Sequence, residues 1–514
     1  MPTSSIHFFL NNELIELSAF SPTLTLLQYL REHKRLTGSK EGCAEGDCGA
    51  CTVVIAELTL NHQAQFKAVN ACILPIALLN GKQIITIEAL AESPATSDAK
   101  LHPVQQAFVQ HHASQCGFCT PGFVMSSYAL YLNSTRAPDL TPDAMEQQLR
   151  QTYAGNLCRC TGYGSILSAG KAILTLDNSS TKSNERDHWL QHLQHLAKHL
   201  STQPSPSLAQ PSADSPTLYA PQSEKALVNL IDQHPEATLI AGATDIGVWI
   251  TKKQFSAPCF ISLTQVPSLQ IAHWQDDRLI IGAAATYQQA IPLLLAQWPE
   301  LKTYLSRHSS EQIRHMATVV GNIANGSPIA DMPPVLIALK AQVILHSIQG
   351  ERTLALEDYF IEYGQQARHT NEYIKAIVIP KNAPTLQLKV YKISKRQQQD
   401  IATLNAAFAL ELEQQTVKSV RIVYGGLAGT PKRTTQTEAL LQNQPWQEAI
   451  IQQACEQLAH EFSPLDDLRA SKNYRLLVAQ NLLRKFFLHT QNHTQASSVH
   501  DLPIEILFSR SNDE

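Results

Sequence analysis

Eight of the ten cysteines in this 514-residue chain fall before residue 161, and their spacing is the first chemistry the sequence offers. In "GCAEGDCGACTVV", Cys43, Cys48 and Cys51 follow a C-x4-C-x2-C pattern, and Cys72 is the next thiol. That is the spacing of a [2Fe–2S] loop, in which each of two irons takes two thiolates. Gly42, Gly46 and Gly49 let the backbone wrap a flat cluster and turn N–H groups toward sulfur. Structural zinc also takes four thiolates, but it more often arranges them as two CxxC knuckles. A second set, Cys116-x2-Cys119 and Cys158-x-Cys160, fits zinc or iron–sulfur equally when taken alone. Its helical setting, one pair in each of two inter-helix loops, favours a second cluster, with Arg159 offsetting the anionic charge. Clustered thiols of this kind suit metal in a reducing compartment better than a disulfide framework. Cys259 and Cys455 have no thiol near them in sequence and read as buried structural thiols.

The elements that must position these thiols follow from pattern. "IHFFLNNELIEL" reads as a hairpin turning at Asn11-Asn12, and Ser21-Pro22 as the start of a helix through "TLTLLQYLREHKR". Strands "CTVVIAEL" and "QIITIE" follow, so the first part is a small α+β unit around a cysteine loop. From 101 to 175 the pattern turns helical. "HPVQQAFVQHH" and "FVMSSYALYLN" flank one loop, and "TPDAMEQQLRQTYAG", capped by Thr141, precedes the other. Four helices would bring the two loops to one end.

Residues 176–216 are rich in Ser, Thr, Asn and Pro around a helical island, "RDHWLQHLQHLAKHL". His188, His192, His195 and His199 share one face of it. They could bind zinc, or line the wet side of an amphipathic linker helix. Beyond 217, "TLIAGATDIGVWI" is a strand and a glycine turn entering a helix, a shape that admits a diphosphate but is also a common tight turn. "ATVVGNIANGSPIADMPP" reads as a long loop before the helix "VLIALKA". Strands "QLKVYKIS", "AAFALELE" and "VRIVYGG" precede helices from about 444. Hydrophobic residues make up 44% and charged ones 16%, with a net charge of -4, so nucleic acid and membrane are not expected partners. The expected location is cytoplasmic.

"EGCAEGDCGACTVV" and "CGFCTPGFVM…GNLCRCTGY" resemble the iron–sulfur domains of the molybdenum hydroxylases, the xanthine dehydrogenase family. "TLIAGATDIGV", "ATVVGNIANGSPIADMPP", "YKISKRQQQDIA" and "DDLRASKNYR" resemble segments of that family's flavin domains. The resemblance implies an α+β multidomain chain. Residues 1–90 would form a β-grasp, plant-type ferredoxin [2Fe–2S] domain, 91–175 a four-helix [2Fe–2S] domain, and 176–212 a linker. Residues 213–384 would form an α+β FAD-binding domain (vanillyl-alcohol-oxidase/PCMH-like), 385–492 a C-terminal α+β flavoprotein domain and 493–514 a tail.

Carried over by position, Leu239, Ile240, Ala241, Gly242, Ala243, Thr244, Asp245 and Ile246 would hold the FAD diphosphate. Thr318, Val319, Val320, Gly321 and Asn322 would continue the cradle, with Asp331 at the adenosine end, Ile374 by its backbone at the adenine and Lys392 near the flavin ring. By itself Lys392 reads as a solvated strand lysine. Two departures stand out: His308 where the family often has Phe, and Gln399 where animal members carry an acid before the retained Asp400.

The resemblance further implies an electron-transfer chain of an NAD-dependent oxidoreductase. Its partner would be a molybdenum-cofactor-binding large subunit, in a heterotetramer of two small and two large chains. That partner would oxidise hypoxanthine and xanthine to urate, with no catalytic residue on this chain. Electrons would leave through two [2Fe–2S] clusters to FAD and then NAD+. The same module could serve an aldehyde or N-heterocycle hydroxylase, and a non-enzymatic zinc scaffold is the remote alternative.

Overall fold

A computed structural model describes residues 5–18, 20–59, 61–91, 100–134, 141–176, 179–201 and 216–491. The expected tail at 493–514 and most of the Ser/Pro-rich second end of the linker, 202–215, lie outside the described residues. The chain divides into two compact units: 1–270 with 286–288 and 309–318, and 271–285 with 289–308 and 319–514.

In the first unit, β1 (Ile6–Leu10), β2 (Glu13–Leu17), β3 (Thr52–Leu58), β4 (Ala64–Asn70) and β5 (Gln83–Ile85) form one sheet in the order β2-β1-β5-β3-β4. Only β1 and β5 run parallel; the other pairs are antiparallel. The helical turn α1 (Leu26–Gln28) begins later than Ser21. Thr25 is its cap, and its hydroxyl and the Gln28 side chain close a reciprocal capping box. Ser21 instead makes a local turn, accepting the N–H of Leu24 on its carbonyl at 2.9 Å.

The four helices α2 (Pro103–Gln110), α3 (Thr120–Asn133), α4 (Pro142–Thr152) and α5 (Gly164–Leu174) follow the predicted pattern, each of α2 to α4 with Pro in its first turn. Phe123, Tyr128, Leu149 and Ile166 share one core with Val54 and Phe66 from the sheet.

The helix α6 (Ser179–Ser201) is longer than the predicted island and acts as a splint. β1 alternates its faces: Ile6, Phe8 and Leu10 enter the domain core, while His7 and Phe9 point the other way and are also buried. There His192 stacks on Phe9 at 4.5 Å and pairs with Gln83 Oε1 at 3.0 Å, and the His199 and His7 rings meet at 4.9 Å. The histidine face is therefore only partly the wet side: His192 and His199 are half-buried against the strand, while His188 and His195 stay exposed. Toward the helical domain, Arg186 donates to the Leu132 carbonyl at 2.8 Å and Lys182 to that of Ser134, a cationic cap on the C-terminus of α3. Trp189 and Leu193 join the core of the four helices.

After α6 come β6 (Thr217–Tyr219), α7 (Glu224–Gln233), β7 (Thr238–Ile240), α8 (Thr244–Lys253) and β8 (Cys259–Ser262), a parallel three-stranded sheet in the order β6-β8-β7.

The second unit holds an antiparallel sheet of β9 (Ala272–Gln275), β10 (Arg278–Gly282), β11 (Gln342–Ser347), β12 (Gly350–Ala355) and β15 (Tyr373–Pro380), with the hairpin β13 (Phe360–Glu362) and β14 (Gln365–Gln366) before β15. A second sheet, β16 (Gln387–Ile393), β17 (Leu404–Glu413), β18 (Thr416–Gly425) and β19 (Lys432–Arg433), packs on helices Glu448–Glu461 and Lys472–Gln491 around Phe408, Tyr424, Trp446 and Phe486. The first helix after these strands starts at Thr435, before the predicted point. The predicted loop before "VLIALKA" contains a short helix, Val319–Ala324. No helix among the described residues is long and apolar enough to cross a membrane.

Candidate cofactor sites

The first thiol quartet is assembled by a loop that turns on left-handed residues, with φ of +53° at Ala44, +78° at Gly46 and +68° at Gly49. The path aims three backbone N–H groups, of Glu45, Asp47 and Cys48, at Cys43 Sγ, at 3.3–3.4 Å. Cys72, in the turn Ala71–Ile73 after β4, brings the fourth sulfur within interaction distance of Cys43 and Cys51. Hydrogen bonds from the Cys48 and Cys72 thiols, with the backbone donors, hold the Cys43 thiol far below its ordinary range. The Cys43 thiolate and burial push Cys48 well up, and the Cys43 and Cys51 sulfurs do the same to Cys72. Four thiols brought together in one loop and turn, with N–H donors already on sulfur, are a donor set that a cationic two-iron core would neutralise.

Segments remote in sequence close over this loop. From α8, Thr251 Oγ1 donates to the Ala44 carbonyl at 2.6 Å, and the Lys252 ammonium reaches the Cys43 carbonyl. Gly247 lies so close to the Ile73 carbonyl that a Cβ there would collide with it. Between 309 and 318, Ile313 packs near Gly46, and His315 Nδ1 donates to the Ala68 carbonyl at 2.8 Å. Cys51 and Cys72 are 1% and 2% exposed as a result.

The second quartet joins the predicted loops. Cys119 interacts with Cys158, and Cys160 with Cys116. Thr161 donates to Cys158 Sγ twice, from its hydroxyl at 3.2 Å and its N–H at 3.5 Å. Burial opposes the Cys158 thiolate, but these bonds bring the thiol below its ordinary range. Burial, with the Cys158 sulfur beside it, pushes Cys119 up to about 12. Cys116 and Cys160 are exposed, beside exposed Phe118, Leu157 and Tyr163.

The two loops touch directly. Leu157 N–H, one residue from Cys158, donates to the carbonyl of Cys48 at 2.9 Å. Beside that bond Asn156 donates to the Gly49 carbonyl at 3.1 Å, and its own Oδ1 accepts from Ser126 at 2.7 Å and Gln312 at 2.9 Å. Asn156, Gln312, Thr251 and Thr161 were not legible as site residues. The partners of Asn156, Gln312 and Thr251 lie on other elements, and Thr161 is an ordinary polar residue three positions from its partner Cys158.

Among the positions carried over for FAD, Leu239 and Ile240 end β7 and Ala241–Ala243 form the turn into α8. Thr244, Asp245 and Ile246 are the first turn of α8. Ala243 sits at φ +56°, and a Cβ on Gly242 would strike the Met316 carbonyl, so the turn is as tight as a glycine-dependent cradle requires. Thr318 is buried and bridges to Thr286.

In the second unit, Val319, Val320, Gly321 and Asn322 lie in the short helix Val319–Ala324, and Asn322 Oδ1 accepts from Met332 N–H at 3.3 Å. Ile374 is buried on β15. Lys392 is 5% exposed rather than solvated, and its ammonium lies 2.7 Å from Asp331 Oδ2. His308 Nδ1 pairs with the same oxygen at 2.8 Å. Burial opposes the charge on Asp331, but His308 and then Lys392 hold its carboxyl below the ordinary range. Asp331 and Lys392 thus form one charge cluster, not contacts at opposite ends of an extended dinucleotide. His308 is part of that cluster. Gln399 adopts φ +50°, and its carbonyl accepts from Arg396 at 2.7 Å.

Four family descriptions match the chain in order: a 2Fe-2S iron-sulfur cluster binding domain at 8–77, a [2Fe-2S] binding domain at 86–171, the FAD binding domain in molybdopterin dehydrogenase at 211–382, and the CO dehydrogenase flavoprotein C-terminal domain at 389–490. The xanthine dehydrogenase of Drosophila pseudoobscura pseudoobscura is 33% identical over 509 residues, covering 90% of this chain and 37% of the relative. Aldehyde oxidase 4 of Cavia porcellus is 29% identical over 535 residues, covering 94% and 39%. The chain thus spans well under half the length of these relatives. A carbon monoxide dehydrogenase structure from Hydrogenophaga pseudoflava, lacking the Mo-pyranopterin moiety, superposes with a TM-score of 0.50 at 25% identity, over 52% of this chain and 94% of that one.

Proposed function

Because this chain belongs to the molybdenum hydroxylases, built from their two iron–sulfur domains and their flavin domains, we propose that it is the electron-transfer subunit of an NAD-dependent xanthine dehydrogenase. Its partner would be a molybdenum-cofactor subunit, in a heterotetramer of two chains of each kind, oxidising hypoxanthine and xanthine to urate. When bound, the clusters carry single electrons and FAD converts them into the hydride pair that NAD+ takes.

The observation that carries this reading is the contact between the two thiol quartets, where Leu157 N–H meets the Cys48 carbonyl at 2.9 Å. Cys43, Cys48, Cys51 and Cys72 would ligate one cluster, and Cys116, Cys119, Cys158 and Cys160 the other. The turn at Leu239–Ile246 offers the N-terminus of α8 to a diphosphate. Thr318 to Asn322 and Ile374 would bind the same cofactor. Lys392 would supply a cation to a flavin that gains negative charge on reduction. Asp331 and His308 would position that ammonium.

The aldehyde oxidase relative keeps a second reading open, the same module serving an aldehyde or N-heterocycle hydroxylase. Purifying the assembled complex through this chain and assaying xanthine, aldehyde and N-heterocycle with NAD+ or O2 separates the two. Urate formation coupled to NADH is expected. Turnover of aldehyde with none of xanthine would overturn the proposal in favour of the second reading.

A further inference from the structure

One set of ligating atoms lies apart from both quartets and from the carboxylate–lysine cluster. His234 ends α7, Glu236 lies in the turn before β7, and Cys259 is the first residue of β8. One ligand atom from each falls within 4.8 Å of the other two. The turn itself makes the arrangement: Ala237 N–H returns to the His234 carbonyl at 3.0 Å, which sets the side chains of 234 and 236 next to each other. His234 Nδ1 then lies 3.3 Å from Glu236 Oε1, and Cys259 Sγ lies 3.6 Å from the same oxygen. The imidazole is held in this orientation by stacking on Tyr219, with ring centroids 4.8 Å apart at 28°.

These separations are those of a coordination polyhedron. A tetrahedral zinc ion with N and O ligands at about 2.0–2.1 Å and sulfur at about 2.3 Å has edges of about 3.3–3.6 Å. The donors also select the ion. A thiolate with an imidazole and one carboxylate suits a borderline-soft divalent cation, and is too nitrogen- and sulfur-rich for calcium or magnesium. Access is open from one side only: the side chains of His234 and Glu236 are 30% and 48% exposed, while Cys259 is buried at 4%.

We propose that His234, Glu236 and Cys259 form a structural zinc site, with water as the fourth ligand. Binding replaces the Cys259 S–H bond with a zinc–sulfur bond and releases that proton to solvent. The ion would clip the α7–β7 turn to the start of β8, bracing the parallel sheet whose β7 ends at the glycine turn of residues 241–243.

The test uses the full chain loaded with iron and flavin, exposed to a slight molar excess of zinc and then freed of unbound metal. Elemental analysis is expected to find one zinc per chain, and zinc K-edge absorption one sulfur neighbour with nitrogen and oxygen making up the rest. Cys259→Ser and His234→Ala should each weaken binding by about tenfold or more, with iron and flavin unchanged. Glu236→Ala, at a half-exposed position, should do the same, with an unchanged thermal unfolding midpoint as the check on folding. No retained zinc in the wild-type chain, undiminished zinc in Glu236→Ala together with either other variant, or an all-sulfur shell would each overturn the site. An all-sulfur shell would mean that the metal had entered a cysteine quartet.

Discussion

The two quartets use the same ligand chemistry and differ in who can reach them. The first keeps Cys51 and Cys72 1% and 2% exposed beneath α8 and the segment 309–318, and receives three backbone donors on Cys43. The second leaves Cys116 and Cys160 exposed next to Phe118 and Tyr163, and Thr161 donates to Cys158 Sγ from its hydroxyl and its N–H. A metal centre wrapped in backbone is insulated from solvent and from other proteins. One at the rim is open to a docking partner and to water. The hydrogen bond from Leu157 to Cys48 joins the two environments, so the molecule offers an exposed centre and a buried one in series.

Several experiments can break or sharpen this contrast. The largest effect belongs to the ligands themselves. Cys48→Ser and Cys160→Ser should each remove about half of the iron and acid-labile sulfide while FAD remains, and each should delete a different reduced-state EPR signal. Loss of flavin with full iron would contradict the assignment.

Next is Gly49→Ala. At φ +68° the new methyl would meet the Gly155 carbonyl, forcing the two loops apart. The chain should lose about 2–4 kcal/mol in denaturant unfolding, and a loss below about 0.5 kcal/mol would show that the loop contact is slack. After iron is removed by a chelator under native conditions, alkylation mapped by mass spectrometry should label Cys116 and Cys160 about tenfold or more faster than Cys51 and Cys72. Equal rates would mean that the burial of the first quartet depends on its cluster.

The smallest effect is electronic. Thr161→Val removes one hydroxyl donor from Cys158 and so one interaction that favours added negative charge. The second centre's potential should fall by about 20–60 mV in a redox titration, from the worth of one hydrogen bond, with the first centre unchanged.

Much of this site was legible beforehand because its signals are local. Thiol spacing, glycines at left-handed turns, and Thr141-Pro142 starting a helix all act within a few residues. What escaped reading depends on which surface a segment meets. The four histidines of α6 have an amphipathic spacing that suits water as well as a strand. His192 and His199 pack inward because β1 presents His7 and Phe9 on the face away from its own core, while His188 and His195 stay exposed. Lys392 reads as solvated in "YKISKR", yet it is buried because Asp331, sixty-one positions away, neutralises it. Those two residues were expected at separate ends of one ligand, and only the fold shows that they are ion-paired.

The amino-acid sequence alone determined the chemistry of the metal sites, since three thiols within nine residues and glycine-rich turns restrict what a short loop can wrap. Tertiary structure alone decided which quartet is covered and which is exposed. It also decided that the loops share a backbone hydrogen bond, and that His234 and Glu236 meet Cys259 at the start of the sheet's central strand. Those outcomes rest on contacts between residues tens to hundreds of positions apart. Burial and charge pairing are properties of the assembled surfaces, and no short stretch of chain encodes them.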